Sequence, residues 1–392
     1  MIGPCQRASQ RVALALICSV LGAGPAKASR ADELVEEARE LARQGDFGGA
    51  ESRLRAALES DRTNVEANVE MGTLKLMRND LVTALQFANA ALAKDRKSPT
   101  ALILYVRINA YQGAAEVGLK KVEEVANGLP QDAGAQLAYT EALVAAKKYD
   151  LALIAVTRVL KLQETSVPAM KLLARTYLGL GRPVTAESIL LRALDIDRDA
   201  EALTLLAGIR YDEQNYIEAR VLLEEAVEKD AGYVEALNSL GALYVVVRSF
   251  EAANDTLQKA LALSPSLAEA WLNLGSAQRG EGEFDKAEAS WKRTLTLAPK
   301  MNDAWYNLGI LYLENPLGKR DKIQQLTDAV NALNAYKRGG GGLDPNADKF
   351  IEEARLLMKQ EQDRRTEQLK GPQTPDRPDK PDKPDKPDKE VN

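Results

Sequence analysis

The chain has 392 residues, 45% hydrophobic but only 5% aromatic, 28% charged, with a net charge of −5. It contains no histidine and two cysteines, Cys5 and Cys18. Without histidine, the Ser-His-Asp and Cys-His nucleophile systems, the usual zinc ligand sets and the commonest general base near neutral pH are out of reach, and the sequence offers no catalytic, metal or cofactor-binding set of residues.

Residues 1–28 read as an export signal. Arg7 and Arg11 form a basic start, Val12 to Gly24 is a short apolar run, and Ala26-Lys27-Ala28 satisfies the small-x-small rule, which predicts cleavage between Ala28 and Ser29. The run is shorter than the ~20 residues a membrane-spanning helix needs. The expected location is the periplasm. Cys18 lies within the run and supplies the alternative, an outer-membrane lipoprotein anchored through this thiol, although Ile17 stands where the lipidation pattern places a small residue. Loss of the segment removes Arg7, Arg11 and Lys27 and moves the charge from −5 to −8. That balance argues against nucleic acid as a partner.

From residue 31 onward the chain is organised by a period. Residues 236–266 align without a gap on 270–300, and the register extends to units starting at 31, 65, 99, 133, 167, 200, 234, 268 and 302. Every interval is 34 residues except one of 33, between 167 and 200. Each unit predicts two amphipathic helices, A and B, joined by a short turn such as Gln44-Gly45-Asp46 or Glu281-Gly282-Glu283. The eighth position is small in most units (Ala38, Gly72, Ala174, Ala207, Gly241, Gly275, Gly309), with Val106 and Thr140 as departures. The twentieth is small in the first eight, from Ala50 to Ala287. Small residues there let A and B approach. Phe47, Tyr149, Tyr216, Phe250 and Phe284 recur where helix B starts, Leu54, Leu190, Leu223, Leu257 and Trp291 fill the seam, and Pro130, Pro265 and Pro299 end helix B.

These positions resemble the tetratricopeptide repeat, over residues 31–337, most closely from 200 to 301. The resemblance implies an all-α, right-handed superhelical solenoid of nine helix pairs whose A helices line a concave groove for peptides or partner domains. The groove-facing positions are the second, fifth, sixth, ninth and twelfth or thirteenth. In this chain they give Arg107, Tyr111, Lys171, Arg175, Tyr211, Asn238, Asn273, Tyr306 and Asn307, a basic middle followed by a polar, aromatic stretch. Asn side chains would bond a partner's backbone, and Arg or Lys would hold a carboxylate. The Lys/Asn order of the chaperone-binding carboxylate clamp is not present. Acids recur at the second position (Asp32, Glu66, Glu201, Glu235, Glu269, Asp303), a placement that suits helix N-termini, the alternative being an acidic groove rim that attracts basic partners.

Unit nine carries Pro316 and an irregular stretch before its second helix near 321–337. Gly339 to Gly342 reads as a flexible break. Asp344-Pro345 then starts a long polar helix, 345–370, whose apolar stripe of Phe350, Ile351, Ala354, Leu357 and Met358 would cap the array or, alternatively, dock a partner. From 371 the chain is low complexity: Pro-Asp-Lys/Arg tripeptides run from Pro375 to Lys389, a composition of polyproline II spacers and disordered tails. The whole reads as a non-catalytic scaffold binding other envelope proteins through its groove, without a small-molecule substrate. In organisation it is similar to components of pilus, secretin and myxobacterial gliding-motility machines. A periplasmic chaperone or peptide receptor is the alternative.

Overall fold

The computed structural model describes residues 29–318, 320–341 and 344–370. The expected export signal, with Ala28, and the Pro-Asp-Lys tail lie outside the described residues. Among the described residues the fold is helical throughout, with nineteen α-helices and no strand. The pairs are α1 (Arg30–Arg43) with α2 (Phe47–Ser60), α3 (Val65–Met77) with α4 (Leu81–Lys94), α5 (Pro99–Tyr111) with α6 (Ala115–Gly128), and α7 (Ala133–Ala145) with α8 (Tyr149–Leu162). Next come α9 (Val167–Gly179) with α10 (Pro183–Ile196), α11 (Ala200–Asp212) with α12 (Tyr216–Lys229), and α13 (Val234–Val246) with α14 (Phe250–Leu263). The last are α15 (Ala268–Gly280) with α16 (Phe284–Leu297), α17 (Asn302–Glu314) with α18 (Lys322–Tyr336), and the single α19 (Pro345–Lys370).

Local chemistry sets these boundaries. The first six A helices each start at a side chain that accepts a hydrogen bond from the backbone N–H three residues on: Ser29, Asn64, Ser98, Asp132, Ser166 and Asp199. The A-to-B turn then needs one left-handed residue. It falls at the fifteenth position in eight successive units: Gly45, Asn79, Gly113, Lys147, Gly181, Gln214, Arg248 and Gly282. In the ninth unit that position is Pro316, whose ring holds φ near −65° and forbids the conformation. The turn is therefore replaced by irregular backbone at 315–318 and 320–321, pinned by Arg320 donating to both oxygens of Glu288 (3.0 and 2.9 Å) and by Gln325 Nε2 donating to the carbonyls of Tyr312 and Asn315 (2.7 and 2.8 Å).

The small positions are buried as helix contacts require. Ala50, Ala84, Ala152, Ala186, Ala219, Ala253 and Ala287 at the twentieth position all lie within the core. A Cβ on Gly275 would stand 2.5 Å from the indole nitrogen of Trp291, so the eighth position has no room for a side chain there. A second regularity ties helix B of one unit to helix A of the next: an acid at position twenty-one reaches position eleven of the following unit. Glu51 accepts from Lys75 at 2.9 Å, Glu187 pairs with Arg210, and Glu288 accepts from the Tyr312 hydroxyl at 2.8 Å.

The chain divides into two units, one holding residues up to 243 with 259–266, the other 244–258 with 267 onward. In the second, α19 lies along α18. Ile351 packs on Ile310 and Leu333, while Ala354, Leu357 and Met358 join the cluster around Trp291, Leu308 and Leu326. The apolar stripe of α19 is thus spent on the last repeat. Residues 337–341, expected to be a break, form a π-helical turn with Gly340 at a φ of 125°.

The concave face of the A helices as candidate functional site

Of the nine residues the sequence nominates for the groove, six lie in the first unit: Arg107, Tyr111, Lys171, Arg175, Tyr211 and Asn238. Arg107 and Arg175 both sit at the ninth position of their repeats, and the intervening repeat places Glu141 there. The period converts that spacing into contact. Arg107 Nε donates to Glu141 Oε1 at 3.2 Å, and Arg175 Nη1 donates to both carboxylate oxygens at 3.3 and 3.1 Å. Burial opposes ionisation of Glu141, whose side chain is only 6% exposed, yet the charges and hydrogen bonds of Arg175 and Arg107 outweigh it and hold its pKa below the ordinary glutamate value.

Lys171 is also occupied. Its ammonium lies 2.6 Å from Asp199 and 2.8 Å from Glu201, and these carboxylates overcome the cost of burial to keep its pKa above the usual lysine value. The same grammar appears at the start of the array, where Arg39 at the ninth position bonds Glu66 and Glu70 of the next repeat at 2.5 and 2.7 Å. Three of the second-position acids therefore act on the concave side as well as near helix N-termini: Glu66 and Glu201 as partners of cations, and Glu235 differently. Unit six offers Thr204 and Gly208 where a cation stood in units five and one, so Glu235 has no ion pair among the described residues, and desolvation pushes its pKa up.

The groove cations are thus matched within the chain, and a partner's carboxylate would compete with Glu141, Asp199 and Glu201 for them. Arg107 retains about half of its side chain in solvent (52%) although it feels Glu201 and Glu235 as well as Glu141, which is how a residue on a concave wall behaves. Tyr111 is 54% exposed at the end of its helix. Tyr211 packs at a tilt against Tyr216 of the following B helix, ring centroids 5.5 Å apart and planes at 59°. Asn238 is half-buried.

The other three nominated residues belong to the second unit. Asn273 and Asn307 are half-buried. Tyr306 is engaged by the end of α18 and by the C-terminal cap, its ring 5.1 Å from Tyr336 and 6.3 Å from Phe350. A crevice of about 700 Å³ opens over Trp305 and Leu308, edged by Lys292 and Arg338.

Sequence reasoning passed over Glu141 and Arg39, and it read Glu235 first as helix-end chemistry. The signal was available: Glu141 lies one full period from both Arg107 and Arg175. Among the described residues no helix is long and apolar enough to cross a membrane, and no cluster of His, Cys, Asp and Glu could hold a metal ion.

Two family models, each described as tetratricopeptide repeat, match the chain, one at residues 41–108 and 143–209 and the other at 238–291 and 272–344. Among solved structures, a chain of the APC/C hetero-tetramer Cut9-Hcn1 superposes with a TM-score of 0.63 at 17% identity, over 80% of this chain. The match spans 60% of that chain's length. Pseudomonas aeruginosa pilF (TM-score 0.48, 18% identity, 57% of this chain and 97% of that one) and a thermophilic TPR protein of Thermus thermophilus (0.41, 18%, 46% and 100%) are also similar. No curated protein matches. At such identities the likeness to Cut9-Hcn1 speaks for the fold alone. With its period, helix pairs and matched models in agreement, the chain belongs to the tetratricopeptide-repeat proteins.

Proposed function

We propose that the protein is a non-catalytic scaffold of a bacterial cell-envelope complex, of the motility, pilus or secretion kind, which holds partner proteins on the concave face of its first unit. Tetratricopeptide-repeat proteins generally mediate protein–protein interactions. The observation that carries the reading to this face is its combination of a pre-arranged charge network, Arg107–Glu141–Arg175 beside Lys171–Asp199–Glu201, with the exposed ring of Tyr111. Fixed charges of both signs give orientation and selectivity, and aromatic rings supply binding energy. Export rests on residues 1–28, whose apolar run and cleavage rule support a periplasmic location. With Cys18→Ser, the protein stays soluble in the periplasm on this reading and leaves the membrane fraction on the lipoprotein one.

The test is cross-linking and affinity purification of the full chain from its native envelope, beside Tyr111→Ala and Tyr211→Ala. The expected result is a defined partner set whose recovery falls at least tenfold in the double variant, as for loss of aromatic anchors worth about 2 kcal/mol. Recovery of the same partners by the variant would overturn the placement on this face. Absence of any partner, with the protein free in the periplasm, would overturn the scaffold. The chaperone or peptide-receptor alternative predicts instead saturable binding of short unfolded peptides, weakened by Arg107→Ala or Lys171→Ala.

A further inference from the structure

Two segments far apart in sequence meet within the first unit. The Gly232 N–H donates to the Arg43 carbonyl at 3.3 Å, and the Ser264 hydroxyl donates to the Met77 carbonyl at 2.7 Å, with Ser266 reaching the same oxygen at 3.4 Å. Leu263, partly buried, packs against the apolar cluster of the first two repeats, to which Phe47 and Leu74 belong. The approach is close enough to dictate composition: a Cβ on Gly232 would lie 2.0 Å from the Ala42 carbonyl oxygen and 3.0 Å from the Phe47 ring. The ends of α1 and α3 are thereby sealed against the loops after α12 and α14. Inside this closure, Arg107 of the third repeat and Glu235 of the seventh sense each other's charge. The contact of the first two repeats with the sixth and seventh brings the two ends of this unit together.

The seam differs from the joints between consecutive repeats. Each such joint buries whole helix faces, whereas the seam is made by loops and helix ends, through hydrogen bonds to backbone carbonyls and Leu263. In a repeat array the weaker closure opens first, while the stack along the chain persists. We propose that this seam is a latch over the concave face of the first unit: shut in the free protein, it bars that face to bulky partners and admits them when it opens. A partner bound there is then linked to the open state, and its apparent affinity is scaled by the fraction of molecules that are open.

Accessibility tests this without a known partner and independently of the function proposed above. Gly208 stands at the ninth position of the sixth repeat, exposed, with no atom within 4 Å of where a Cβ would be. In the full chain carrying Cys5→Ser and Cys18→Ser, Gly208→Cys becomes the single thiol on that wall. Val184→Cys, 72% exposed on the outer side of α10, is the reference. Each is reacted with N-ethylmaleimide and with a branched polyethylene-glycol maleimide. With the open state a minor species, the branched reagent labels Gly208→Cys about tenfold or more slowly than Val184→Cys, after normalisation to the small reagent. Adding Gly232→Ala, or Ser264→Ala with Ser266→Ala, brings the two sites to within about twofold of each other while the small-reagent rates and helical content stay unchanged. Equal labelling of both sites with the seam intact would overturn the latch. So would slow labelling that neither seam variant relieves.

Discussion

Glu141 shows why charge on a repeat protein has to be read in pairs. Among the described residues its carboxylate is the one acceptor that Arg107 and Arg175 share, and it is nearly inaccessible while both guanidinium groups keep contact with water. Glu141→Gln removes the counter-charge that both cations contact directly. Because they can rehydrate, the expected cost is about 1–3 kcal/mol, below the roughly 3–5 kcal/mol of breaking a fully buried pair. The pH dependence gives the loss a signature. A carboxylate whose folded pKa lies below its unfolded value of 4.5 contributes stability that is fully present above 4.5 and disappears as pH falls through the folded value. Urea denaturation of wild type and Glu141→Gln should therefore show a gap at neutral pH that narrows below 4.5 and closes at stronger acidity. A gap independent of pH would mean that the glutamate acts by packing and not by charge.

At the scale of the helix pair, the fifteenth position separates backbone demand from packing. All eight occupants are left-handed, but only four are glycine; Asn79, Lys147, Gln214 and Arg248 hold the same conformation against their own Cβ. At Gly181 nothing lies within 4 Å of the position a Cβ would take, so Gly181→Ala tests the backbone alone. It should destabilise by about 1 kcal/mol, and Lys147→Gly should shift the urea midpoint the other way by less, since glycine also gains freedom in the unfolded chain. Equal midpoints for Gly181→Ala and wild type would show that the turn relaxes without cost. This position also shows where sequence reading stops. Glycine at 45, 113, 181 and 282 announces the turn, but lysine, glutamine and arginine carry no left-handed preference, and only the repeat register implies theirs. The small eighth and twentieth positions were legible because they are constraints within one unit. The ladder Arg107–Glu141–Arg175 was not read although its spacing of one period was in view, since it is a contact between successive units and each unit was read by itself. The seam at Gly232 and Ser264 lies off every repeated position, so no period could reveal it.

For the molecule as a whole, a repeat array is held by neighbours, and its ends are its weak points. The C-terminal end is closed by α19, which covers Ile310 and Leu333 with Ile351 and adds Ala354, Leu357 and Met358 to the cluster around Leu326. Burying such side chains is worth about 1.5–3 kcal/mol each when complete, and several here are partly exposed, so removing the helix should cost roughly 5 kcal/mol at that end. Because stability is nearly a sum of nearest-neighbour terms, the loss should stay local. Truncation after Tyr336 is expected to abolish slow amide exchange in α17 and α18 and to promote association through the bared apolar face, while α1 to α8 keep wild-type protection. Truncation after Lys370, which removes only the Pro-Asp-Lys tail, should leave exchange unchanged throughout. Hydrogen exchange read by mass spectrometry tracks both. If α19 were a docking element for a partner instead of a cap, the first truncation would leave α17 and α18 protected, and that result would reassign the helix.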